Sequence, residues 1–205
     1  HNFDEIGFQM GVIGSMKVLT ASERRTRPEL IQPGDRECVT VIQSICAAGY
    51  AIPPFIIYKG RVHISTWYEE ADIPHNWKLS VSENGWTNNA LGLEWLKHFD
   101  AHTKARQVGV YRLLILDGHE SHLSQDFKDY YLENKIITLY IPSHSSHILQ
   151  SLDVVCFSPL KRKYSQRIRD LARRRVYHIN KEGFLPAFKD AFFRLVYERE
   201  LSKGL

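Results

Sequence analysis

The chain has 205 residues, of which 43% are hydrophobic and 24% are charged, a balance typical of a globular protein and not of a disordered or fibrous one. Its longest apolar runs, at residues 55–58 and 113–116, are too short to cross a membrane, so we expect no membrane contact. Three cysteines without a CxxC spacing indicate reduced thiols in an intracellular protein. Because the chain begins with His1 and has no signal-peptide pattern, we expect a piece of a longer protein that is not secreted.

Positive charge is concentrated in one short segment. Residues 161–175 hold eight basic side chains and one acid, whereas the formal net charge of the whole chain is only +4. Such a segment favours a polyanionic partner, and a solvated helix face is an equally open interpretation. The basic residues are Lys161, Arg162, Lys163, Arg167, Arg169, Arg173, Arg174 and Arg175.

The first half of the chain predicts strands. Residues 1–8 read as part of a strand, residues 38–47 are rich in β-branched side chains, and residues 55–58 form another apolar run. The last two segments predict a hairpin. Residues 20–37 and 59–86 predict loops, and the tryptophans of the second loop either anchor it or stack on unpaired bases. These tryptophans are Trp67, Trp77 and Trp86.

Helices and strands alternate in the second half. The predicted elements are a helix over 87–104, a strand over 111–116, a helix over 124–133 and a strand over 136–141. Thr87 and Ser124 are the predicted caps of the two helices. The aspartates within these helices, which are Asp100, Asp126 and Asp129, are expected to be solvated.

The basic segment itself predicts a helix. Ser158 and Pro159 form an N-cap and N1 pair at its start. Apolar residues at helical spacing give it one buried face, made of Leu160, Tyr164, Ile168 and Leu171. A last helix is predicted by Phe184, Phe188 and Phe192. Strands followed by alternating helices and strands indicate a mixed α/β sheet with helices on its faces.

Three aspartates stand at the edges of predicted elements with apolar neighbours. Asp4, Asp117 and Asp153 therefore carry a desolvation cost unless a cation compensates it. Carboxylate oxygens suit Mg²⁺ or Mn²⁺, and two such ions about 3.5–4 Å apart can hold both oxygens of a displacement at phosphorus. Taken singly, each aspartate is better explained as a turn residue after a strand or as a helix N-cap.

Three blocks of sequence resemble a known family. Residues 2–11 read NFDEIGFQMG, residues 113–122 read LLILDGHESH, and residues 141–161 read IPSHSSHILQSLDVVCFSPLK. Together with the connecting residues 36–60 and 84–100, they resemble the DDE-type transposases of the pogo/Tigger group, and most closely its fungal members. The resemblance covers nearly the whole chain.

The resemblance implies an RNase H-like fold and a single catalytic domain over residues 1–205 that continues beyond both ends. It implies that Asp4, Asp117 and Asp153 form one catalytic site that binds Mg²⁺ or Mn²⁺. The implied reaction is phosphoryl transfer on DNA, in which an endonuclease and strand transferase acts on transposon ends and target DNA. We therefore expect a nuclear location and DNA as a partner, with a homo-oligomer as an open alternative in the transposition complex. Ser151 departs from the family pattern, which has proline there.

Two HxxH spacings lie near the aspartates. Zinc binding is one interpretation of these four histidines, but both pairs fall in predicted loops without a nearby cysteine. The preferred interpretation is that His119, His122 and His147 form hydrogen bonds that orient the carboxylates. Glu5 follows Asp4 directly and is expected to point to the opposite side of the strand in a structural role.

Two other functions remain open at the level of sequence. A domesticated or decayed transposase that only binds DNA or protein is the first alternative, although such relatives often lose aspartates that this chain keeps. A metal-dependent hydrolase of a phosphate ester other than DNA is the second. The basic helix and the long loops count against a small substrate. No nucleotide-binding motif is present.

Overall fold

The computed structural model describes residues 1–12, 37–62, 71–118, 122–141, 152, 156–176 and 178–203. Its strands are β1 (Asn2–Gln9), β2 (Gly11–Val12), β3 (Cys38–Ile45), β4 (Phe55–Lys59), β5 (Lys78–Ser82), β6 (Arg112–Asp117), β7 (Ile136–Ile141) and β8 (His178–Ile179). Its helices are α1 (Asn89–Thr103), α2 (Gln125–Glu133), α3 (Ser158–Arg173) and α4 (Lys181–Lys203). A 3₁₀ turn, Lys104–Arg106, follows α1.

Six strands form one mixed sheet in the order β5-β4-β3-β1-β6-β7. The pairs β1–β3 and β3–β4 are antiparallel, whereas β4–β5, β1–β6 and β6–β7 are parallel. The first strand is thus central, with an antiparallel hairpin on one side and parallel strands on the other. This is the RNase H-like mixed sheet flanked by helices that the resemblance implied. The hairpin of β3 and β4 is also confirmed.

Alternation along β1 divides the core into two faces. Ile6 and Phe8 pack on one face with residues of α3 and α4, such as Phe188, and we call this the α3–α4 face. Phe3 packs on the opposite face of the sheet with residues of α1 and α2, such as Trp95, and we call this the α1–α2 face. The predicted apolar faces of the basic helix and of the last helix are confirmed, because both belong to the first cluster.

The long segment 59–86 departs from its prediction as a loop. It is not all loop, because KLSVS forms β5 and pairs with β4 in parallel. Its alternation is too short and too polar to predict a strand without that partner. Trp77 is buried against Phe188 and Phe192 at ring distances of 5.6 and 5.3 Å, so it anchors this segment. Trp86 is 53% exposed, and Trp67 lies outside the described residues.

Two predicted helix caps are wrong. Asn88, not Thr87, caps α1, because its extended backbone lets the side-chain oxygen accept from the Leu91 N–H at 3.0 Å. Ser158 is the first helical residue of α3 and Phe157 is its N-cap, without a side-chain hydrogen bond. The backbone of Phe157 is already helical, which leaves no extended position for a serine cap. The cap at Ser124 is confirmed.

Asp100 is not solvated as predicted. It is 7% exposed on α1 and pairs with Arg112 at the start of β6. The guanidinium also donates to Thr103 Oγ1 and to the Asn134 carbonyl, each at 2.9 Å. The opposite charge and these hydrogen bonds compensate the desolvation of both groups. Asp126 and Asp129 are exposed on α2 as expected.

A half-buried histidine makes stability depend on pH. Burial lowers the pKa of His98 to about 4, although its Nε2–H donates to the Pro53 carbonyl at 2.9 Å, which acts in the other direction. The unfolded chain takes up this proton near pH 6.5, so the folded state loses stability as the pH falls from about 6.5 towards 4. Between pH 7 and pH 4.5, we expect Tm to fall by about 4 °C more for the parent chain than for His98→Gln. Equal Tm changes in thermal unfolding would contradict this.

Candidate functional site

Asp4 and Asp117 lie side by side on adjacent strands. The parallel pairing of β1 with β6 sets Asn2 opposite Ile115. Two residues further along each strand stand Asp4 and Asp117, and an even offset keeps both on the same side of the sheet. Hydrogen-bonded strands are about 4.8 Å apart, and β1 and β6 are paired at Asn2 and Ile115. Since Ile6 follows Asp4 by two residues, this side is the α3–α4 face.

A third side chain with an oxygen that suits a metal ion lies next to Asp4, on strand β3 at the other side of β1. The antiparallel pairing of β1 with β3 sets Asp4 opposite Gln43, whose side chain is 3% exposed. The Gln43 Nε2 donates to the Ile52 carbonyl at 2.6 Å. Its carboxamide oxygen is buried and has no hydrogen-bond partner among the described residues. Sequence reasoning missed Gln43, because only the register of β3 brings it to Asp4.

His122 lies against the Asp117 carboxylate. Its Nδ1 is 3.2 Å from Asp117 Oδ1, and the side chain is 1% exposed. Phe3 and Phe127 enclose the ring at centroid distances of 4.8 and 5.7 Å, and the Tyr140 hydroxyl donates to the His122 carbonyl at 3.1 Å. These contacts hold the imidazole in one place at the carboxyl end of β6.

Glu5 contacts the same histidine from the α1–α2 face. Glu5 Oε1 is 3.8 Å from His122 Nε2, and the Glu5 side chain is 22% exposed. The imidazole therefore stands between two carboxylates, one on each of two neighbouring strands. A structural role for Glu5 was expected from the sequence, but its contact with the histidine of the LDGHESH block was not. The only signal was its adjacency to Asp4.

The remaining predicted site residues lie outside the described residues. These are Asp153, His119 and His147. Leu152, which precedes Asp153 in the chain, is fully buried in the cluster of the α3–α4 face. Among the residues that the structure describes, no three His, Cys, Asp or Glu side chains are close enough to hold a metal ion together.

The predicted basic helix is α3. Arg167 is 3.6 Å from Asp190 on α4, and Arg173 is 3.2 Å from Asp170 one turn earlier, so these two cations have carboxylate partners. The Arg169 guanidinium donates to Gln166 on the same helix. Four exposed cations have no carboxylate partner within the described part of the chain, namely Lys161, Arg162, Arg174 and Arg175.

Comparison with protein families identifies the class of the chain. The family model described as DDE superfamily endonuclease matches residues 35–196. The chain belongs to this family. Within the DDE endonuclease match lie Asp117, Asp153 and the basic helix, whereas Asp4 precedes its first residue.

Relatives of this DDE family chain include fungal and mammalian proteins. A Cochliobolus lunatus protein named MFS-type transporter clz9 is 56% identical over 194 residues, which are 95% of this chain and 21% of that protein. The pogo transposable element with KRAB domain is 25% identical in Homo sapiens and 28% in Mus musculus, over 69% of this chain and 23% of each relative. The chain thus spans about a fifth of the length of these curated relatives. The predicted resemblance to pogo-type DDE proteins is confirmed.

One solved structure covers almost the whole chain. The Mos1 transposase paired-end complex with left transposon end matches 97% of this chain and 54% of that chain, with 13% sequence identity and a TM-score of 0.48.

Although the fungal relative is named a transporter, no helix within the described residues of this chain is long and apolar enough to cross a membrane.

Proposed function

We propose that this chain is the catalytic domain of a pogo-type DNA transposase, a metal-dependent endonuclease and strand transferase that acts in the nucleus. The observation that carries this proposal is the placement of Asp4 beside Asp117 on the α3–α4 face. Family membership supports the reaction class. Asp153 completes the proposed set, and the burial of its chain neighbour Leu152 on the same face supports that assignment.

The donor set fits Mg²⁺ or Mn²⁺. Two carboxylates and the buried carboxamide oxygen of Gln43 come from three neighbouring strands, and hard divalent cations prefer such oxygen ligands. Asp4, Asp117 and Asp153 would hold the ions, which supply positive charge and an activated water for attack at phosphorus. The two described aspartates lie on neighbouring strands of the sheet, and His122 contacts the Asp117 carboxylate, so the backbone positions of both are set by the fold.

The histidine and its glutamate position the site. His122 constrains the Asp117 carboxylate, because its Nδ1 contacts Oδ1 at 3.2 Å. Glu5 holds the far nitrogen of the same ring. Both are positioning residues in the proposal, since His122 acts through the Asp117 carboxylate and Glu5 acts through His122. His119 and His147 remain proposed members of this hydrogen-bonded shell.

Duplex DNA is the proposed substrate. The exposed cations of α3 lie on a helix that packs on the same sheet face as Asp4 and Asp117. Lysine and arginine on a helix surface bind phosphates without reading base sequence. This supports DNA over a small phosphate ester, which would not need a helix of cations.

A metal titration tests the site. Calorimetry with Mn²⁺ is expected to show binding to the parent chain and none to Asp117→Ala, because the variant lacks one of the two described carboxylates. Asp129→Ala, which removes an exposed aspartate from α2, is the matched control and is expected to bind as the parent does. Absence of binding to the parent, both alone and with duplex DNA, would favour the decayed, DNA-binding relative instead.

A further inference from the structure

Helix α3 ends with an arginine in an unfavourable backbone conformation. Arg175 has a φ of +66°. Its N–H donates to the Ala172 carbonyl at 2.9 Å, and the Val176 N–H donates to the Leu171 carbonyl at 3.0 Å. These two bonds define a Schellman motif, in which the left-handed position is usually a glycine.

Arginine at this position costs stability that glycine would not. A Cβ atom crowds the following carbonyl in the left-handed region, and only glycine escapes this cost. A cation near a helix C-terminus does gain from the helix dipole, but that gain falls off within the last turn. Arg173 and Arg174 already occupy the end of α3. The backbone therefore gives no reason for a third arginine at residue 175.

The end of α3 lies beyond the carboxylates in the direction in which β1 runs. Strand β8 begins three residues after Arg175 and pairs with β2, which continues the path of β1 beyond Gln9. Because β1 and β6 are parallel, β6 runs in the same direction, but its last residue, Asp117, is level with Asp4 near the start of β1. The path along β1 from Asp4 to β2 spans on the order of 20 Å, at about 3.3 Å per residue.

Arg174 and Arg175 are available for a ligand. Both are exposed, and neither has a carboxylate partner among the described residues, whereas Arg173 is 3.2 Å from Asp170. Guanidinium groups bind phosphate oxygens in a bidentate manner. A side chain whose backbone is fixed by two hydrogen bonds also loses less freedom on binding.

We propose that Arg175 binds a backbone phosphate of duplex DNA at a contact point on the order of 20 Å from the carboxylates. At one phosphate per 3.4 Å along a strand, this corresponds to about six base pairs. The inference rests on the proposed function, since it requires that DNA be the substrate. It adds one residue, Arg175, that sets the distance along the duplex between the carboxylates and this phosphate contact.

The Arg175→Gly variant distinguishes DNA binding from a structural role at the helix end. DNA binding predicts a higher Tm and a lower affinity for DNA, whereas a structural role predicts a lower Tm and an unchanged affinity. We expect Tm to rise by about 2–4 °C, as the backbone cost is removed. We expect the affinity for a 24-base-pair duplex to fall about five- to tenfold at 0.1 M salt, and the slope of log K against log salt to fall by about 0.9. Arg175→Lys should keep most of the affinity and the full slope.

Lys135→Gly is the matched control. Lys135 is also an exposed cation with a positive φ, +54°, just after a helix. Its carbonyl accepts from the Arg112 N–H at the start of β6, which places it at the opposite edge of the sheet. This variant should also raise Tm, but leave the affinity for the duplex and the salt slope unchanged.

Three results would overturn the inference. If Arg175→Gly keeps affinity and slope while Arg162→Gln near the start of α3 weakens binding, the contact point is wrong and the proposed DNA substrate stands. If Arg175→Gly lowers Tm, the arginine serves the helix end. If the parent chain fails to bind duplex DNA even at 0.05 M salt, the proposed function fails together with the inference.

Discussion

Asp117→Asn is expected to reduce Mg²⁺-dependent nicking of duplex DNA by at least about 10³-fold. Asparagine keeps the shape of the side chain but removes the negative charge that a divalent cation requires. Nicking of a supercoiled plasmid, followed by gel electrophoresis, measures the loss. Because Asp117 is partly exposed, with 40% of its side chain accessible, the substitution should leave Tm nearly unchanged.

Asp129→Asn provides the control for this prediction. It makes the same chemical change on α2, where the carboxylate is exposed and accepts from Gln125 at 2.7 Å. Nicking by this variant should equal that of the parent chain. Activity of Asp117→Asn within tenfold of the parent would exclude Asp117 from the catalytic set.

Arg112→Met is expected to destabilise the fold by about 3–5 kcal/mol, because it leaves the buried Asp100 carboxylate without its counter-ion. The same change removes the hydrogen bonds to Thr103 and Asn134 that tie the end of α1 and the end of α2 to β6. For a chain of this size we expect Tm to fall by about 6–20 °C. Thermal unfolding followed by circular dichroism measures the shift.

The double variant Arg112→Met, Asp100→Leu separates charge from packing. It replaces both ions by apolar side chains, so no unpaired charge is left in the core. We expect it to recover most of the stability lost in the single variant. A double variant as unstable as Arg112→Met alone would mean that packing, and not the uncompensated carboxylate, causes the loss.

Most elements of the fold follow from local sequence patterns. The β-branched run of β3, the apolar run of β6 and the four-residue repeat of Phe184, Phe188 and Phe192 each predict their element without reference to the rest of the chain. Such patterns predict elements correctly because the spacing of the buried apolar residues differs between a helix and a strand. The strand β5 has no such pattern, because its burial comes from pairing with β4 and not from its own composition. The sequence therefore does not predict it.

The candidate site was predictable only in part. Asp4 and Asp117 stand out by their motif blocks, and the structure brings them to one face of the sheet. Gln43 does not stand out, because its proximity to Asp4 depends on strand register. The contact of Glu5 with His122 depends on the path of the chain to that histidine and was not predictable either. The role of Asp153 stays a prediction.

Charge in the sequence predicted a cationic helix, but tertiary structure decided which cations are available. Arg167 and Arg162 cannot be distinguished by sequence, since both are arginines of the basic segment. In the structure, however, Arg167 pairs with Asp190 on α4. Asp100 reads as a solvated helix residue, yet it is buried with Arg112.

The sequence by itself determined most of the elements, the family and the candidate aspartates, because periodicity and motif blocks are local properties of the chain. Tertiary structure alone decided which side chains meet across strands and which ions are buried. Those outcomes depend on contacts between residues far apart in the chain, and no local pattern encodes the register or the neighbour that creates them.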